Sequence, residues 1–227
     1  IARLIDLGVN VERTGNPIET TEIRNQSGDL IAIMPVGDAS RKLGAPSYEI
    51  RRGDLLAAIL AELPEHTLKT GRACTAIREH ADSVELEFED GERTRADLVV
   101  GADGIRSIVR EHVAGEIPLR YSGYSGASGV TRFTHRDLAP HTHVDVWGRG
   151  GKAGIADVGE EKIRWYLTWK GSEESQKSLD EILSRLEKWY SPVHAVVQTT
   201  PQTAIVQHAY YDIAPLQEWK RGNVVLL

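Results

Sequence analysis

Apolar residues recur along this chain with two different periods, and each period predicts its own element. Leu55, Leu56, Ile59, Leu60 and Leu63 return every three or four residues, which predicts a helix with Asp54 in its first turn and Pro64 as its stop. Leu179, Ile182, Leu183 and Leu186 do the same, behind a capping box made by Ser178 and Glu181. The opening "IARLIDLGV" reads as the last turns of an amphipathic helix ending at Gly8. Elsewhere the period is two. Val84, Leu86 and Phe88 alternate with Glu85, Glu87 and Glu89, Asp90-Gly91 turns the chain, and a more apolar strand follows over Asp97 to Gly101. Those glutamates most simply form a solvated sheet face. Ile163, Trp165, Leu167 and Trp169 share one face of another strand, opposite Arg164, Tyr166, Thr168 and Lys170. "TEIRNQSGDLIAIMP" predicts a hairpin around Gly28, with Ile23, Leu30, Ile31 and Ile33 about it, and "AIVQHAYY" predicts a further strand.

After Arg110 the chain becomes rich in glycine, β-branched and aromatic residues, as a mostly antiparallel sheet requires. The expected fold class is mixed α/β with two lobes. An α/β lobe covers residues 1–114, residues 221–227 return to it as a turn and a buried strand, and a β-rich lobe covers 115–220. Both ends read as cut, inside a helix at Ile1 and at a strand at Leu227, so a longer polypeptide is expected.

A net charge of -6 gives no basic surface for nucleic acid or an anionic membrane. No apolar run reaches the ~20 residues of a membrane helix. Cys74 stands alone, so no internal disulfide is available, and a cytoplasmic location is expected.

The chemistry concentrates in "DLVVGADGIRSIVR", where an apolar strand passes through Gly-Ala-Asp-Gly into a helix. Such a turn lets a ligand approach the backbone closely, and free amides at a helix start favour an anion. A carboxylate there, Asp103, suits ribose hydroxyls or the turn's own amides better than a phosphate. On the residues alone an Asp-Gly turn without a ligand is the commoner reading. The stretch resembles the second fingerprint of class A flavoprotein monooxygenases, the para-hydroxybenzoate hydroxylase family, with Asp103-Gly104, Ser107 and Arg110 at the family spacing. "IRRGDLLAAIL" is similar to that family's arginine-led helix, and "TGRACTAI" to the strand that meets adenine. "YYDIAPLQEWKRGNVVLL" is similar to the entry into its third fingerprint. The resemblance implies a partial Rossmann-like FAD/NAD(P)-binding lobe beside a β-rich substrate lobe. It implies cofactor contacts at Arg52, Cys74 (through its main chain), Asp103, Gly104 and Arg110. Two departures are evident: the Gly-x-Gly-x-x-Gly fingerprint and the Gly-Asp fingerprint are absent from this sequence.

By the same resemblance, FAD, NAD(P)H and O2 would serve hydroxylation of a small aromatic substrate. The cofactor does the difficult chemistry, so no catalytic side chain is singled out. Arg132, Trp147, Arg149, Tyr166 and His208 are the candidate substrate contacts, cations to orient an acidic or phenolic group and aromatics for flat contact. His141 and His143 could share a strand face, but two ligands without a third do not make a metal site. Three alternatives stand beside the hydroxylase: a non-catalytic binding fragment, a flavin halogenase (whose Trp-x-Trp-x-Ile-Pro is missing) and a reductase. A homodimer is left open.

Overall fold

The longest strands pair through the alternation read above, and they organise the larger part of the chain. The computed structural model describes residues 1–173 and 177–227. In chain order the elements begin with α1 (Ala2–Asp6), β1 (Asn16–Ile18), β2 (Thr20–Asn25), β3 (Leu30–Met34), α2 (Val36–Lys42), β4 (Ser47–Glu49) and α3 (Arg52–Ala61). There follow β5 (Cys74–Glu79), β6 (Val84–Phe88), β7 (Arg93–Ala96), β8 (Val99–Gly101) and α4 (Ile108–Ala114). Four long strands come next: β9 (Arg120–Arg132), β10 (Thr142–Gly148), β11 (Gly151–Asp157) and β12 (Lys162–Lys170). The chain closes with α5 (Leu179–Leu186), α6 (Ser191–Thr199), β13 (Ile205–Asp212), β14 (Lys220–Arg221) and β15 (Val224–Leu226).

Two compact units result, residues 1–64 with 123–210 and residues 65–122 with 211–227. These bounds differ from the 1–114 and 115–220 division that composition suggests. The physical reason is a pairing that composition does not show: β2 lies parallel to β10, Thr20 opposite Thr142 through Asn25 opposite Trp147. That pairing places the early hairpin in the β-rich unit.

In this first unit a seven-stranded sheet has the order β13-β9-β12-β11-β10-β2-β3. One face carries the core. Trp165, Leu167 and Trp169 of β12, Val144 and Val146 of β10, and Ile155 of β11 pack with Ile182, Leu186, Val193, Val196 and Val197 of α5 and α6. The α5 capping box forms as the sequence specifies, Ser178 receiving the Glu181 amide and Glu181 receiving the Ser178 amide. The other face is polar and is described below. The α3 stripe behaves differently from expectation: α3 buries none of its residues, and Leu56, Leu60 and the following Leu63 are exposed.

The second unit holds two three-stranded sheets, β14-β15-β8 and β5-β6-β7. Val84, Val99, Val109, Val113, Val224 and Leu226 form its core. β15 runs parallel to β8, Val224 opposite Val99, and brings the end of the chain beside the Gly-Ala-Asp-Gly turn. The glutamate face of β6 is more structured than a merely solvated one. Glu85 and Glu87 sit in a cross-strand ladder with Arg78, Arg93 and Arg95, and Arg95 and its neighbours hold the Glu85 carboxyl below its usual range.

Candidate functional site

Strand β8 ends at Gly101, and helix α4 starts only at Ile108, so six residues turn the chain. Asp103 fixes that turn from within. Its carboxylate accepts the Ile108 amide at 2.9 Å, the Val109 amide at 3.3 Å and the Ser107 hydroxyl. Ser107 is the N-cap, buried, and its oxygen also receives the Arg110 amide at 2.8 Å. Burial alone would raise the Asp103 pKa. The Ser107 hydroxyl and the Val109 and Ile108 amides outweigh it and hold the carboxyl below its ordinary range. The amides that a helix start would offer an anion are therefore used internally.

Arg110 completes the clamp from the other side. Its guanidinium donates to the carbonyl of Gly104 at 3.2 Å and of Ile105 at 2.8 Å. What faces outward is Gly104, at φ +82, with open space where a Cβ would stand. A cavity of about 360 Å³ opens there, lined by Gly101 to Ile105, Ser107 and Arg110 and walled by Ile213, Leu216, Trp219 and Leu226. Cys74 starts β5 in the same unit; burial first, and the Asp103 charge after it, push its thiol up.

The polar face of the seven-stranded sheet forms a second constellation, within the other unit. His143 Nδ1 lies 2.8 Å from Glu49 Oε1 and its Nε2 lies 3.3 Å from Asp145 Oδ1. Tyr166 donates its hydroxyl to the same Asp145 oxygen. Lys152 and Arg164 stand over the Tyr166 ring at 5.1 and 5.5 Å. Burial would lower the His143 pKa, but Asp145 and Glu49 raise it from 6.5 to about 9. Burial and the Asp145 charge push the Tyr166 phenol well above its usual range. Next to this network a cavity of about 430 Å³ is lined by Arg51 to Gly53, Ser128 to Val130, Arg164 and Val206.

A raised histidine pKa means that the folded chain holds a proton the unfolded chain releases. Its stabilisation is complete below pH 6.5 and is lost as pH rises towards about 9. Urea midpoints of the wild type are expected to fall across that window more steeply than those of His143→Gln. Parallel profiles would contradict the network.

The structure distributes the sequence candidates as follows. Asp103, Gly104 and Arg110 line one cavity, with Cys74 in the same unit. Arg52 opens α3 and lines the sheet-face cavity with Arg164, beside Tyr166. Trp147 is 52% exposed, on the same sheet face as His143 and Asp145. Three candidates lie elsewhere. Arg132 pairs with Glu161 at 3.0 Å, Arg149 sits in the β10–β11 turn, and His208 is exposed against Tyr210. His141 does not join His143; it precedes β10 at φ +55 and faces the Pro17 carbonyl. Among the described residues no His, Cys, Asp and Glu cluster could hold a metal ion. Sequence reasoning missed Glu49, Asp145 and Lys152, although His143 and Asp145, two apart on one strand, carried a signal.

Comparison with known proteins decides what this arrangement belongs to. The FAD binding domain family matches residues 7–227. The chain belongs to this FAD-binding family. Among its relatives, the aurachin C monooxygenase/isomerase of Stigmatella aurantiaca is 31% identical over 228 residues, covering 99% of this chain and 59% of the relative. The 3-amino-4-hydroxybenzoate 2-monooxygenase of Streptomyces cremeus is 33% identical, covering 94% of this chain and 55% of the relative. The structure of Klebsiella pneumoniae HpxO complexed with FAD and uric acid shares the fold. Its TM-score is 0.89 at 21% identity, over 99% of this chain and 60% of that one. The chain thus spans somewhat under three fifths of the relatives' length in both cases.

The residues present fit the cofactor. Gly104 offers bare backbone to a ribose or phosphate, the cavity walls are apolar, and Arg110 keeps a cation beside them. No helix among the described residues is long and apolar enough to cross a membrane.

Proposed function

We propose that this chain is the core of an FAD-dependent monooxygenase that uses NAD(P)H and O2 to hydroxylate a small, electron-rich aromatic or heteroaromatic acid. The observation that carries this reading is the FAD-family match over residues 7–227 joined to an ordered turn whose outward surface is open backbone. Bound FAD, reduced by NAD(P)H, would supply the oxygen activation. Gly104, Arg110 and the apolar wall would hold the cofactor's sugar and phosphate region, with Asp103 and Ser107 setting their shape.

On the sheet face Arg52 and Arg164 would orient the substrate's carboxylate, while Tyr166 and Trp147 would contact its ring. Tyr166 gives its own proton to Asp145 Oδ1, so its oxygen presents lone pairs and would accept a substrate hydroxyl. Protonated His143 balances the two carboxylates, Glu49 and Asp145, and Asp145 keeps Tyr166 in that orientation. The relative that acts on 3-amino-4-hydroxybenzoate supports the choice of substrate class.

The test is NAD(P)H consumption by the purified protein with FAD, comparing hydroxylated benzoates with their neutral amides. The acids are expected to accelerate consumption and to yield a product one oxygen heavier. FAD binding with no acceleration by any acid would overturn the substrate class, and failure to bind FAD would overturn the whole reading.

A further inference from the structure

Strand β12 places two indoles on its core face, and they are treated differently. Trp165 Nε1 donates to Thr200 Oγ1 at 2.9 Å. Trp169 is 5% exposed, and its Nε1 is the buried side-chain polar atom without a hydrogen-bond partner among the described residues. Buried donors are nearly always met, so an unmet one calls for an acceptor. Trp169 is also a wall of a cavity of about 300 Å³ between the β10–β11 turn, the end of β12 and helix α5.

Two cations edge that cavity, Arg149 and Arg185; Lys170 borders it from a strand position whose side chain belongs to the Tyr166 face. Neither arginine forms an ion pair among the described residues, and Glu181, one turn before Arg185, gives its carboxylate to Ser178. Glu181 acts on Arg185 electrostatically without pairing with it, so an anion that joined the two arginines would still relieve their mutual repulsion. The backbone beneath them is fixed. The Arg149 amide donates to Gln26 Oε1 at 3.3 Å and the Lys170 amide to the Gly150 carbonyl at 2.9 Å. Gly148 lies so close to Trp189 that a Cβ would meet its ring at 2.5 Å, so this indole is pressed against the turn as a second aromatic wall.

We propose that this cavity is a second ligand site, and that it takes a single-ring aromatic carboxylate. The carboxylate would meet Arg149, Arg185 and the Trp169 N–H, and the ring would lie against Trp169 and Trp189. A volume of about 300 Å³ is at the small end of ligand sites and suits one ring rather than a nucleotide. The site is not the sheet-face site by another route. Trp169 and Leu167 alternate with Tyr166 along β12 and therefore face the opposite side of the sheet.

The experiment follows the indole N–H signals of 15N-labelled protein, without FAD or NAD(P)H, so that it is independent of the proposed reaction. Trp169→Phe and Trp189→Phe assign the two signals. Benzoate is expected to move both saturably, with a Kd of about 1 mM or below, while the Trp219 signal stays in place. Benzamide is expected to move neither, and the double variant Arg149→Gln, Arg185→Gln to weaken benzoate by about tenfold or more. Tyr166→Phe is expected to leave the titration unchanged. Equal shifts with benzamide would show an apolar hollow instead, and equal competition by inorganic phosphate a bare charged patch. Either of these, or stationary Trp169 and Trp189 signals, overturns the proposal.

Discussion

Replacing Trp165 by alanine is expected to cost about 3–5 kcal/mol of stability, enough to unfold much of the chain in mild urea. The side chain is 1% exposed at the centre of the larger core, between the seven-stranded sheet and helices α5 and α6. Its removal opens a cavity that strands on either side cannot close, and it strips Thr200 of a buried donor. Trp147→Ala is the internal control. With 52% of Trp147 exposed, its loss is expected to change stability by no more than about 0.5 kcal/mol. A substrate effect with unchanged stability would mark Trp147 as a ligand contact. Urea midpoints that fell equally in the two variants would contradict the assignment of the core face.

Asp103→Ala is expected to destabilise the smaller unit by about 2–3 kcal/mol. The substitution leaves the Ile108 and Val109 amides and the Ser107 hydroxyl without their shared acceptor at the start of α4. Asp103→Asn keeps an oxygen for the amides and should recover about half of the loss. Acid acts on the same group. Because its folded pKa is lowered, the stabilisation is present above the ordinary value of 3.8 and is lost as pH falls below it. Weakened FAD binding should accompany the loss of order. If Asp103→Ala weakened FAD binding with no change in unfolding midpoint, the carboxylate would be a ligand contact and not a clamp.

The sequence made some of this legible because local rules and tertiary structure agree there. The Ser178–Glu181 capping box, the Asp90-Gly91 hairpin and the alternation of β12 all depend on neighbours within a few residues. Helix α6 was not anticipated. Val193, Val196 and Val197 favour strands by propensity, and only Pro192 at the helix start and burial against β12 make the segment helical. The α3 stripe has the correct period and yet is only half covered, with Leu55 and Ile59 partly buried and Leu56 and Leu60 exposed, since a period reports a face and not its partner. The Asp103-Gly104 motif marked a turn that lines a cavity, but the inward direction of the carboxylate depends on where α4 begins. The His143 network was hidden by distance. Glu49 reaches it through the β1–β4 pair, 94 residues away in sequence.

The central claim is that the open backbone of the Gly104 turn is the surface on which the flavin nucleotide rests. Gly104 and Gly91 supply a matched pair: φ is +82 and +81, nothing lies within 4 Å of either Cβ position, and only Gly104 lines the cavity. Alanine at either position should cost about 1 kcal/mol in backbone strain. FAD affinity, measured by flavin fluorescence, is expected to fall tenfold or more in Gly104→Ala and to stay unchanged in Gly91→Ala. Equal FAD affinity in the two variants would contradict the account.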